Sequence, residues 1–140
     1  MNRNIANLIV ATFAIIATVV VLWQWKAQKV KAATAFLTEK HQAQISKHNG
    51  EVTAFIPSPI ATDLVEVSRK LAELGNVTVL DVTGSAKLES LKGVSSLPKL
   101  QSIVAVDCPA LRNFNGLENH TALRELVTVD SVLLEDVSAL

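Results

Sequence analysis

The first apolar segment of the chain runs from Ile5 to Trp25 and contains no charged residue. As an α-helix its 21 residues would span about 31 Å, close to the thickness of a bilayer's hydrocarbon core. Trp23 and Trp25 close the segment and Lys26 follows them, which is the residue pattern of a membrane–water interface. The pattern predicts a transmembrane anchor over residues 1–25, with Trp23, Trp25 and Lys26 at the interface.

Two other interpretations of this segment exist. A buried core helix is disfavoured, because a chain of this size cannot surround a helix that is apolar on every side. A cleaved signal peptide would use the small residues Ala33-Thr34-Ala35, but Lys26, Lys29 and Lys31 stand between them and an unusually long apolar run. An uncleaved anchor is therefore the favoured interpretation.

A polar segment rich in Ala, Lys, Gln and Glu follows the anchor, and these residues favour helix. Val30, Ala33 and Leu37 form a thin apolar face at helical spacing, and every Gly and Pro lies at or beyond Gly50. We expect the helix to continue as a stalk over residues 26–49 and to end at Asn49-Gly50.

A strand and a helix are predicted next, as an N-terminal cap over residues 50–75. Glu51–Ile56 is rich in β-branched and aromatic residues and precedes a proline. Ser58-Pro59 is typical of a helix start, and Ile60–Leu74 carries apolar residues at helical spacing up to a stop at Gly75.

The remaining residues, 76–140, show a period of 23 that begins at Leu74. Three sets of seven positions are related by this period, and 19 of the 21 are apolar, with His120 and Thr128 as the exceptions. Self-similarity at a fixed period indicates stacked supersecondary units, each unable to bury its apolar face alone. The sets are Leu74, Val77, Leu80, Val82, Leu88, Leu91, Val94; Leu97, Leu100, Ile103, Ala105, Leu111, Phe114, Leu117; and His120, Leu123, Leu126, Thr128, Leu134, Val137, Leu140.

The segments LPKLQSIVAVDCPALRNFNGL (97–117) and HTALRELVTVDSVLLEDVSAL (120–140) resemble leucine-rich repeats. Ser85, Cys108 and Ser131 occupy the turn position where that family usually has Asn or Cys. The resemblance implies a short solenoid of parallel strands. The predicted fold class is α/β: one transmembrane helix with a helical stalk, then a short leucine-rich-repeat-like solenoid with parallel strands and an N-terminal strand–helix cap.

The resemblance also implies a concave face that binds protein. If the L-x-L leucines point inward, their neighbours line this face, and five of those nine neighbours are valine. An exposed apolar stripe indicates a contact surface, whereas cover by the chain's own N-terminal part would make the valines ordinary core. The predicted contact residues are Val79, Ser102, Val104, Val106, Glu125, Val127 and Val129, beside Asp81 and Thr83.

The end of the repeats is a second predicted contact surface. A solenoid without a polar cap exposes the apolar edge of its last repeat, so a partner, a second copy or further residues should cover it. The residues concerned are Leu133, Leu134, Val137 and Leu140.

Composition and charge exclude several functions. Aromatic residues make up 4% and net charge is zero, which disfavours nucleic acid as a partner. Cys108 is the only cysteine, and His41 and His48 would lie two helical turns apart, so neither a metal nor a cofactor is expected. No phosphate-binding, dinucleotide-binding or nucleophile-elbow motif occurs, and no enzymatic activity or small-molecule substrate is predicted.

The sequence therefore predicts a non-catalytic accessory, assembly or docking subunit of a larger membrane protein complex. Its partners would be membrane protein subunits and the lipid bilayer, with self-association possible. The predicted location is a bacterial inner membrane, single-pass, with the repeat domain on the periplasmic side. The alternative is a membrane-anchored, receptor-like recognition module for an extracytoplasmic ligand.

Overall fold

The computed structural model describes the backbone of residues 3–57 and 62–139, and the side chains of residues 11–57 and 62–139. The chain divides into two compact units, Met1–Ala32 and Ala33–Leu140. Ser58, Pro59 and Leu140, which the sequence analysis singled out, lie outside the described residues.

Helix α1 spans Arg3–His41. It ends earlier than predicted, because Gln42 adopts a left-handed conformation with φ of 52°. The N–H of Ala43 then donates to the Leu37 carbonyl at 3.0 Å, a hydrogen bond typical of helix C-termini. The helical stalk predicted up to residue 49 therefore stops at His41.

No helix in the part of the chain that the structure describes is long and apolar enough to cross a membrane. The start of the predicted anchor, residues 1–10, lies outside the described side chains. The predictions of a transmembrane helix, a single-pass protein and a bilayer-anchored location are therefore wrong.

Strands β1 (Gln44–His48) and β2 (Glu51–Phe55) form an antiparallel hairpin. Asn49 and Gly50 make its two-residue turn, with φ of 49° and 83°. Two successive positive φ values are what a two-residue hairpin turn requires, and Asn-Gly is the sequence that adopts them most readily. Asn49-Gly50, predicted to end a helix, thus reverses the chain direction between β1 and β2.

Three further strands lie parallel to β2: β3 (Asn76–Asp81), β4 (Ser102–Val106) and β5 (Glu125–Val129). Helix α2 (Val65–Leu74) connects β2 to β3, and a short 3-10 turn at Val94–Ser96 lies between β3 and β4. The strand order is β1-β2-β3-β4-β5.

The 23-residue period matches the register of β3, β4 and β5. Leu80 pairs with Ile103, and Ile103 with Leu126, each 23 residues further on. A second ladder of backbone hydrogen bonds on the far side of the repeats has the same offset. The Arg112 N–H donates to the Glu89 carbonyl, and the Glu135 N–H donates to the Arg112 carbonyl. The constant offset places equivalent side chains of successive repeats side by side on the same face of the sheet.

The apolar core lies between these two ladders. Leu80, Leu88, Leu91, Ile103 and Leu111 are all fully buried. The inner side of α2 adds to this core through Val67, Leu71 and Leu74.

The predicted fold class, a transmembrane helix with a stalk and a separate solenoid, is thus wrong. The described residues form two helices, neither long and apolar enough to span a membrane, and one mixed five-stranded sheet. One physical reason is the hairpin: residues 44–48, predicted as part of the helical stalk, form β1 and join the same sheet as the repeat strands.

Candidate interaction surface

The outer face of the sheet is defined here by the alternate residues of β3, β4 and β5 that point away from the core. Strand geometry places these residues in rows, because parallel pairing aligns positions 23 apart. One row joins Val79, Ser102 and Glu125, and the next joins Asp81, Val104 and Val127. Val106 and Val129 form a third row. The structure therefore brings all seven predicted concave-face residues onto one surface.

The valines of the outer face are not core residues. Val79, Val104, Val106 and Val127 are half-buried, and Val129 is 49% exposed. Their neighbours on the opposite side of β3 and β4, such as Leu80 and Ile103, are fully buried. The chain therefore leaves an apolar stripe in contact with solvent, and such surfaces commonly bind other proteins.

The ionisable residues of the outer face are both acidic. Asp81 accepts a hydrogen bond from the Thr83 N–H at 2.9 Å, and Glu125 accepts one from the Ser102 hydroxyl at 2.8 Å. The ion pairs formed by described residues, Lys40–Glu66 and Lys70–Glu73, involve neither carboxylate. The outer face thus offers two oriented negative charges beside the valine rows.

The apolar edge that follows β5 is exposed, in contrast to the corresponding positions of earlier repeats. Val137 is 54% exposed, whereas Phe114 and Leu91, at the same repeat position, are at most 3% exposed. Leu133 is 40% exposed, and Leu134 is half-buried. Leu140, the fourth residue predicted here, lies outside the described residues.

Sequence reasoning missed one residue of this apolar edge. Val132 is 79% exposed, more than Leu133 or Val137. The repeat could have revealed it. Val132 is 23 residues after Pro109, an exposed turn residue, so the period places Val132 at an exposed turn position as well.

A polar cleft of about 310 Å³ lies beside the amino ends of the parallel strands. Its lining includes Glu51, Asn76, Lys99, Gln101 and Arg124. The 23-residue period could have located it, because Asn76 is related by the repeat to Lys99, and Gln101 to Arg124. The lining carries charges of both signs but neither a thiol nor an imidazole, the side chains most often used as nucleophile or general base.

The histidines do not converge. His41 is buried at the end of α1, its ring centroid 5.5 Å from that of Phe36, and His48 is exposed in β1. His120 pairs through Nε2 with the Leu97 carbonyl at 3.0 Å. Within residues 11–57 and 62–139, no group of three or more His, Cys, Asp or Glu side chains could hold a metal ion.

Cys108 is buried in the turn that follows β4. Its Sγ lies 3.5 Å from the Val82 carbonyl and 3.6 Å from the Val106 carbonyl. Burial raises the pKa of the Cys108 thiol, and the Asp107 carboxylate adds to this effect against the opposing backbone hydrogen bonds. A thiol with a raised pKa is a poor nucleophile, which is consistent with a packing role for Cys108.

The first unit exposes large apolar side chains along α1. Trp23 is 72% exposed, and the Nζ of Lys29 lies 4.0 Å from the ring centroid of Trp25. The assignment of Trp23, Trp25 and Lys26 to a membrane interface depended on a spanning helix and loses that basis.

Comparison with known proteins does not assign a family. No family model, curated protein or solved structure matches this chain. The candidate site therefore rests on the geometry above.

Proposed function

We propose that the protein is a non-catalytic docking subunit that binds a protein partner on the outer face of its sheet. The observation that carries this proposal is the set of half-buried valines on three adjacent strands. Valine exposed on the open face of a sheet loses the stabilisation that burial would give, about 25 cal/mol per Å² of apolar surface. A partner that covers these side chains recovers that free energy on binding.

The charge of the outer face indicates the chemistry of the partner. Asp81 and Glu125 are held in place by hydrogen bonds and have no cationic partner among the described residues. Residues 49–140 carry seven basic and twelve acidic residues, a net charge of −5. The complementary ligand is a protein segment with apolar side chains flanked by Lys or Arg.

Site-specific photo-crosslinking tests this proposal in the full chain. A photoreactive residue replaces Val104, at the centre of the outer face, or Lys87, which is exposed in the turn after β3. We expect one discrete crosslinked polypeptide from position 104 and none from position 87. Equal crosslinking at both positions, or none at position 104, would refute the proposal.

A charge substitution gives an independent measurement. Val104→Lys places a cation between the valines, and we expect it to reduce recovery of the crosslinked partner at least tenfold in pull-down experiments. Lys87→Ala is the control and should leave recovery unchanged. Far-UV circular dichroism of both variants establishes that the sheet is retained, so that a lost partner is attributed to the face and not to unfolding.

A further inference from the structure

The two edges of the sheet differ in how they are protected against pairing with another strand. Strand β1 forms one edge, and its residues are mostly exposed and polar, with Lys47 among them. Strand β5 forms the other, and Glu125–Val129 (ELVTV) contains neither Lys nor Pro. Charged side chains and proline are the usual means by which proteins prevent edge-to-edge association. Glu125, at the start of β5, is its one charged residue, so residues 126–129 have no such protection.

The backbone of β5 shows which of its polar groups are free. Asp107 donates its N–H to the Val129 carbonyl at 2.9 Å, so the polar groups of Val129 face β4. Because N–H and C=O directions alternate along a strand, Val127 also turns toward β4, and Leu126 and Thr128 turn outward. The outward groups of Leu126 and Thr128 have no paired strand in the described part of the chain.

We infer that β5 pairs with β5 of a second copy of this chain, antiparallel and centred on Val127. In this register Leu126 of one copy faces Thr128 of the other, so the outward N–H and C=O groups of both strands are hydrogen-bonded. Glu125 faces Val129, and no like charges oppose each other. The arrangement is symmetric about a two-fold axis, so both copies use the same surface.

Charge complementarity selects this register. Arg124 and Asp130 flank the strand at its two ends, and antiparallel pairing centred on Val127 places Arg124 of each copy beside Asp130 of the other. Among the ion pairs formed by described residues, neither side chain takes part. Shifting the register by two residues keeps the backbone pairing but separates these charges.

The pairing also continues the apolar stripe. Val127 of one copy lies opposite Val127 of the other at the two-fold axis. This is a non-hydrogen-bonded pair, where side chains approach most closely. The valine rows of the two outer faces then join into one surface. This inference goes beyond the proposed docking function, which uses the outer face of each copy and does not require the pairing.

Disulfide crosslinking of the full chain tests the register directly. At a non-hydrogen-bonded pair the two Cα atoms lie about 4.5 Å apart, within the range that a disulfide spans. We expect Val127→Cys to form a covalent dimer under mild oxidation. Val129→Cys is the matched control: Val129 is more exposed than Val127, but in this register it faces Glu125 of the other copy and should crosslink at least tenfold less. The wild type, with buried Cys108, sets the background.

A charge exchange provides a second test in the Val127→Cys background. Arg124→Asp places two carboxylates opposite each other and should reduce the crosslinked fraction severalfold. Adding Asp130→Arg to the same chain restores opposite charges and should restore the dimer. No crosslink at position 127, equal crosslinking at 127 and 129, or no rescue by the double exchange would overturn the inference. Crosslinking to a partner from position 104 is measured separately, so failure of the pairing and failure of the docking proposal are distinguishable.

Discussion

Gly116 provides the sharpest test of how the repeats pack, because an added methyl group has no space there. A Cβ at this position would lie 2.3 Å from the Leu91 carbonyl oxygen and 2.7 Å from its carbon, both backbone atoms of the preceding repeat. Its φ of 108° is also a conformation that side-chain-bearing residues avoid. Gly116→Ala therefore adds a steric conflict between two repeats to a local backbone strain.

The expected cost follows from these two contributions. A left-handed conformation costs a non-glycine residue about 1–2 kcal/mol, and forcing extra volume into a packed region costs a further ~1–3 kcal/mol. We expect Gly116→Ala to lower the free energy of unfolding by about 2–5 kcal/mol. Gly50→Ala is the matched control, because Gly50 has φ of 83° but nothing within 4 Å of an added Cβ. It should cost only the conformational part, about 1–2 kcal/mol.

Urea denaturation followed by far-UV circular dichroism measures both variants. Circular dichroism is used because it reports directly on the strands, whereas both tryptophans lie in the first unit. The decisive quantity is the difference between the two free energies of unfolding, which isolates the steric conflict. If Gly116→Ala cost no more than Gly50→Ala, close stacking of the two repeats at Leu91 would be refuted.

Three further predictions concern buried groups. His41→Leu should leave stability unchanged or raise it by about 1 kcal/mol, because both ring nitrogens are buried without hydrogen-bond partners among the described residues; a loss above about 2 kcal/mol in thermal or urea unfolding would contradict this. Because burial raises the pKa of Cys108, its thiol stays protonated at pH 8, and an aromatic disulfide reagent should label it only after urea is added; rapid labelling of the folded chain would be the contrary result. Phe114→Ala should cost about 3–5 kcal/mol, whereas Val137→Ala, at the same repeat position but exposed, should cost less than about 0.5 kcal/mol; equal costs in urea denaturation would show that Val137 is covered.

The parts of the fold that the sequence predicted are those governed by local pattern. Strand β2 lies within the predicted Glu51–Ile56, and helix α2 lies within the predicted Ile60–Leu74. The outer-face residues were predicted because alternation along a strand decides which side chains share a face. The leucine-rich-repeat resemblance itself stays a prediction, since no known family matches the chain.

The errors arose where one local pattern fits two structures. Asn49-Gly50 ends helices and also makes hairpin turns, and the choice here follows from β1 finding a partner in β2. The apolar run before Trp25 was interpreted as a membrane span, yet no helix among the described residues is long and apolar enough for that. The helix-forming composition of residues 26–49 led to a predicted stalk that extends beyond His41. In the structure Gln44–His48 pairs with β2 instead, and this tertiary pairing overrides helix propensity.

The sequence by itself determined the register of β3, β4 and β5, because the apolar positions that must share the core face recur every 23 residues. Only the tertiary structure decided which of the repeated apolar positions are core. Leu91, Phe114 and Val137 occupy the same position in successive repeats, yet the first two are buried and Val137 is exposed. The physical reason is that burial depends on the neighbour that stacks over a position. The repeat pattern records only the position itself.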